Sequence, residues 1–113
     1  MADDDALAIG PVETGYLSEE GRFEVLAFRD AEDETIELQA SLEDPDEAHC
    51  VVVGGPTAYG AVESWRLSDH TLELCFSLEG QETLELPGRM AMTLDDDGLA
   101  LVEQHLDRIV SRA

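Results

Sequence analysis

The chain has no lysine. Its six bases are all arginine, set against 27 acids, and the formal net charge is −21 over 113 residues. Nucleic acid and anionic membranes are therefore excluded as expected partners, since both require positive charge to displace counterions. There are only two cysteines, Cys50 and Cys75, and no Cys-x-x-Cys. Both fall in apolar, strand-like runs, so reduced, buried thiols are expected. A Cys50–Cys75 disulfide would require their strands to be neighbours. No apolar run approaches the roughly 18 to 20 residues of a membrane helix. The opening Met-Ala-Asp-Asp-Asp is acidic where a secretory leader is basic. A cytoplasmic location is the expectation.

Catalytic and metal-binding patterns are missing too. His49, His70 and His105 share no zinc-site spacing, and lone histidines of this kind are expected at the surface. Asp95-Asp96-Asp97-Gly98 resembles the start of a calcium loop. It lacks the alternating ligands and the glutamate at position twelve, and it runs into a helix, so it reads as a helix cap. The acidic turn at residues 43–47 reads as solvated. No serine lies in a Gly-x-Ser-x-Gly elbow. Cys50 and His49 are adjacent on a strand, so they point to opposite faces and cannot pair. Gly54-Gly55 precedes no lysine and no helix, so it is a turn and not a phosphate cradle. The expectation is no enzyme, no metal and no cofactor.

What the chain does have is a hydrophobic share of 43%, enough for one core in one domain. Residues 1–21 show no long period and read as a loosely ordered acidic arm, with Leu7, Ile9 and Val12 offering at most a short edge piece. Residues 22–113 read as a single α+β domain. Phe23, Val25 and Ala27 alternate with Leu26 and Phe28, which suggests a central strand covered on both faces or one that switches face at a bulge. Ile36, Leu38, Ala40 and Leu42 then face one side while Glu37, Gln39 and Ser41 face the other. The two strands make a hairpin around the acidic residues 30–34.

A β-branched run at 48–53 follows. Residues 58–67 read as one strand, with Gly60 marking a bulge or close approach. Leu72, Leu74, Phe76 and Leu78 alternate inward from 71 to 78, and Glu79-Gly80-Gln81 reads as a turn. Residues 82–94 keep one parity throughout, bent at Pro87-Gly88. Leu99, Val102, Leu106, Ile109 and Val110 then follow helical spacing, with Asp96 or Asp97 as N-cap and Arg108 and Arg112 in the last turns. This pattern predicts an antiparallel meander of about six strands with one C-terminal helix packed on a face.

Aromatic residues make up 5% of the chain. Phe23, Phe28 and Phe76 read as core. Tyr59 and Trp65 share a parity, and two readings stand: both cover the core, or one is exposed and anchors a partner.

The order of these features resembles a known family. A strand ends in Phe28-Arg29-Asp30-Ala31-Glu32-Asp33, and Leu38-Gln39-Ala40-Ser41-Leu42-Glu43 follows. Then come an acidic turn, a strand, Tyr59-Gly60-Ala61-Val62, the Leu-alternating strand and a terminal helix. Over residues 23–110 this resembles the immunity proteins numbered ten among those of bacterial polymorphic toxin systems. Gln39, Ser41 and Leu42 match one stretch of that family, and Tyr59, Gly60 and Val62 another. Ala40 stands where the family pattern has Arg, and Ala61 where it has Gly.

The resemblance implies an antidote that binds a toxin made by its own cell or siblings and blocks it. The partner it implies is a cognate protein toxin, basic and in many cases a nuclease. It assigns no oligomeric state. The residues fit this picture, because ten acids and no base lie between Arg29 and Arg66. Such a surface steers a cationic partner. Glu32, Asp33, Glu34, Asp44, Asp46 and Glu47 form the expected electrostatic rim. Glu37, Gln39 and Tyr59 are the expected contacts. The competing reading is a small acidic structural or regulatory domain whose charge reflects a salt-rich cytoplasm. A weaker third is a metal-dependent enzyme.

Overall fold

The computed structural model describes residues 6–19, 22–41, 43 and 49–110. Eight strands and two helices follow in the order β1 (Ala6–Glu19), β2 (Phe23–Arg29), β3 (Thr35–Ser41), β4 (Cys50–Val53), β5 (Thr57–Tyr59), β6 (Val62–Ser68), β7 (Thr71–Phe76), α1 (Leu78–Leu84), β8 (Arg89–Leu94) and α2 (Asp96–Val110). The class is α+β, but with more strands than the six expected. The sheet is also mixed, because β1 runs parallel to β8. Its order is β5-β4-β3-β2-β1-β8-β7-β6.

The organising strand is β1, which lies in the middle of the sheet within the stretch expected to be a loose arm. Its fourteen residues change partner half way. Residues 6–12 pair with β8, and residues 13–19 pair with β2. The change follows a register shift between Ile9 and Pro11, where proline has no N–H to give a ladder. The shift also moves the inward parity. Ile9 packs on the core from an odd position, whereas Val12 and Tyr16 do so from even ones. A period-two pattern broken at Gly10-Pro11 looks like no pattern, which is why the strand escaped sequence reading.

The expected β2–β3 hairpin forms, with Leu26 opposite Leu38 and Phe28 opposite Ile36. The next expectation is overturned. Residues 58–67 are not one strand but two, β5 and β6, at opposite ends of the sheet order. Only Gly60 and Ala61 join them, so the sheet must curl until its ends nearly meet. Gly60 makes the corner at φ 63°, a left-handed conformation that a side chain would disfavour. His49 locks this corner. It is 1% exposed; its carbonyl accepts the Gly60 N–H at 2.6 Å and its Nε2 accepts the Val62 N–H at 3.2 Å. The expectation of a surface histidine is thus corrected, because a backbone donor at a buried corner needs an acceptor.

The segment 77–88 also departs from expectation. Ser77 accepts the Gly80 N–H at 3.0 Å and caps the short helix α1. The expected turn is therefore helical, and β8 begins only at Arg89. Leu78, expected to face inward, is 78% exposed. Seven residues are too few for a helical period to be read against the even parity of Leu84 and Leu86.

The terminal helix matches its pattern. Val102, Leu106 and Ile109 are fully buried, and α2 packs on β1, β2, β3 and β8. Its cap is Asp95, one residue before the expected pair, whose carboxylate accepts the Gly98 N–H at 2.7 Å. Gly98 lets the helix close on β1: a Cβ there would stand 2.6 Å from the Thr14 hydroxyl.

Candidate interaction face

Alternation places even-numbered residues of β2 and β3 against α2 and leaves the odd-numbered ones on the opposite face. No described helix covers that face. The strand register builds one continuous row across it, Leu17–Val25–Gln39–Cys50–Tyr59. Val25 and Cys50 are each only 9% exposed and form the floor. Leu17 and Tyr59, at 60% and 65% exposed, stand at the two ends. The result is an open groove of about 670 Å³, lined also by Phe23, Ala27 and Glu37. Gln39 organises its centre. Its Nε2 donates to Glu37 Oε1 at 2.7 Å, and its Oε1 lies 3.8 Å from the Cys50 thiol.

The expected contact residues divide into two groups. Glu37, Gln39 and Tyr59 share the groove. Tyr59 is the exposed aromatic, while Trp65 packs against the core, so the reading in which both cover the core is corrected. Glu32, Asp33 and Glu34 are exposed in the β2–β3 turn, about 13 Å further along the hairpin at four residues of strand rise. Asp30 holds that turn, accepting the N–H groups of Glu32 and Glu34 at 2.8 and 3.0 Å. Asp33 and Glu34 flank the mouth of a second cavity, of about 580 Å³, between the two halves of the curled sheet. Asp44, Asp46 and Glu47 lie outside the described residues, as does Leu42.

The electrostatics of this surface are one-sided. All five described arginines already have a carboxylate within 4.0 Å: Arg22 with Glu19 and Glu43, Arg29 with Glu13 and Asp33, Arg66 and Arg89 with Glu73, and Arg108 with Glu24. Each described arginine is thus paired within the chain while its side chain stays 37% to 74% exposed. Among the described residues no group of three His, Cys, Asp or Glu side chains is placed to hold a metal ion.

The covered face contains a polar cluster that sequence reasoning missed. Glu24 is 1% exposed. Its Oε2 accepts the Arg108 Nε–H at 2.9 Å, and its Oε1 accepts from Arg108 Nη2 and, at 2.9 Å, from the Tyr16 hydroxyl. Tyr16 stacks on His105 with ring centroids 3.7 Å apart and planes 6° from parallel. Arg108's hydrogen bonds hold the Glu24 carboxyl below its ordinary value against the opposing effect of burial, with Tyr16 assisting. Burial and then the Arg108 charge push His105 down as well. The Glu24 carboxylate is thus paired within the chain on both oxygens, and the cluster ties β1 and β2 to α2.

A model of the family described as Immunity protein 10 matches residues 12–102. No curated protein and no solved structure matches the chain.

Proposed function

Because the chain belongs to the Immunity protein 10 family, we propose that it is an antitoxin that acts in the cytoplasm by binding, not catalysis, and docks its cognate toxin on the open face of β1–β5. The observation that carries this reading is the row from Leu17 to Tyr59. Two large apolar side chains stand in water at the ends of a semi-buried floor, inside a surface whose described arginines are already paired. An exposed aromatic beside a desolvated floor is the usual form of an energetic anchor at an interface. Gln39 and Glu37 supply hydrogen-bonding groups beside it.

The proposed partner is basic, with nucleases among the candidates. Glu32, Asp33 and Glu34 would act at a distance, raising the association rate more than the affinity. Covering the toxin's active site or a neighbouring surface would then block it. The test is to co-express the chain with the toxin-like reading frame beside its gene and measure both co-purification and growth rescue. A stoichiometric complex lost on Tyr59→Ala is expected. A toxin that neither co-purifies nor is neutralised would sink the proposal.

The absence of lysine and the charge of −21 also favour a second reading, adaptation to a salt-rich cytoplasm. Unfolding midpoints across salt concentration separate the two. A chain that folds only in molar salt supports adaptation. One that is stable at low salt, where its charges repel unscreened, supports a surface kept for a partner.

A further inference from the structure

We propose that the second half of β1, residues 13–19, is a strand-addition edge that accepts a basic, extended segment of the partner protein. The inference rests on the binding reading above and says how the partner engages. It starts from the partner change within β1. β8 ends at Leu94, level with Val12, and Asp95 turns the chain off the sheet into α2. From Glu13 onward β1 therefore has β2 on one side and, among the described residues, no strand on the other. The helix packs on the face of this segment. Gly98 lies against Thr14, His105 stacks on Tyr16, and Arg108 reaches Glu24, which is paired with Ser18. Glu13, Gly15, Leu17, Ser18 and Glu19 are all exposed.

An unpaired strand edge is a template for another chain, and proteins that leave one unused blunt it with proline, charged side chains, a bulge, brevity or a covering segment. Residues 13–19 have no proline, lysine or bulge, their two charges, Glu13 and Glu19, stand only at the ends, and they pair with β2 in unbroken register. The other edges are blunted. β5 has three residues, β6 shifts register between Val62 and Ser64, and the first half of β1 carries Pro11.

Charge selects the occupant. A second copy pairing antiparallel about Tyr16 would set Glu13 opposite Glu19 at both ends, and like charges directly opposed are destabilising. Each end also has two carboxylates per arginine: Glu13 and Asp33 around Arg29, and Glu19 and Glu43 around Arg22. A strand with Lys or Arg at its ends and an apolar residue beside Leu17 fits. Its main chain would supply affinity, and its side chains on one face would continue into the groove.

The test uses the full chain and a short end-blocked peptide in which Lys alternates with Thr and Val. Binding at low salt should slow hydrogen exchange at alternate amides of residues 13–19. The same peptide N-methylated at every residue keeps its charge but cannot pair, and it should bind at least about tenfold more weakly. Equal binding of the two peptides, no binding of either, or unchanged exchange in β1 would overturn the inference. Toxin co-purification is read separately, so failure of the edge and failure of the antitoxin reading remain distinguishable.

Discussion

On the α2 side of the β2–β3 hairpin, Leu26, Phe28, Ile36 and Leu38 are at most 7% exposed, and even a carboxylate, Glu24, is sunk beneath the helix. On the other side of the same strands, Glu37 and Gln39 lie half-buried in a groove whose ends are bare leucine and tyrosine. The two faces share a backbone, so backbone propensity cannot account for the difference. One face is closed by a helix and stabilises the fold. The other is left open at a cost in exposed apolar surface, and that cost has no folding return. That open face is where the proposed partner would dock.

The contrast can be broken most sharply by removing core. Leu38→Ala should cost about 3 kcal/mol by chemical denaturation, as cavity-forming substitutions do, whereas Leu17→Ala should change stability by less than about 0.5 kcal/mol. A comparable loss at Leu17 would mean that the open face carries the fold after all.

Next in size is the buried pair. Arg108→Ala leaves Glu24 without its cation beneath the helix and should cost about 2 kcal/mol, while Arg66→Ala at an exposed pair should fall within about 0.5 kcal/mol. Equal effects would place the Glu24 cluster on the surface energetically. On the open face, Tyr59→Ala should leave the unfolding midpoint in place and weaken toxin binding by about 2 kcal/mol, read by calorimetry.

The smallest effect is in pH. Glu24 titrates below its ordinary 4.5 in the folded chain, so the unfolded chain takes up the proton first and the stability it contributes is lost as pH falls beneath that value. His105 is likewise lowered from 6.5. The unfolded imidazole charges first, so stability also declines as pH drops below about 6.5. His105→Gln should flatten the upper of these two slopes and leave most of the lower, whereas Arg108→Ala should flatten the lower and weaken the upper, because burial and then the Arg108 charge hold His105 down.

How much of this was legible in the chain differs element by element. The β2–β3 hairpin was readable because its parity is unbroken. The helix α2 was readable because its period, cap and charge gradient agree. β1 was not, because Gly10-Pro11 shifts its inward parity. β5 and β6 were read as one strand, since a two-residue corner between opposite ends of a curled sheet looks locally like a bulge. The burial of Glu24 had no local signal, because its partner Arg108 is 84 residues away. Glu37, Gln39 and Tyr59 were named from polarity and aromaticity, yet nothing local indicated that a row beginning at Leu17 would join them.

By itself the sequence determined the negative surface, the polar and apolar sides of each regular strand, and the helix at the end. These follow from side-chain chemistry and from the periods of two and 3.6, which are properties of a chain segment alone. Only the tertiary structure decided which side of the hairpin the helix would cover, where β1 would change partners, and therefore which face and which edge stay open. Those outcomes depend on how one element docks on another across long separations, and alternation specifies that a strand has two faces without saying which one meets the helix.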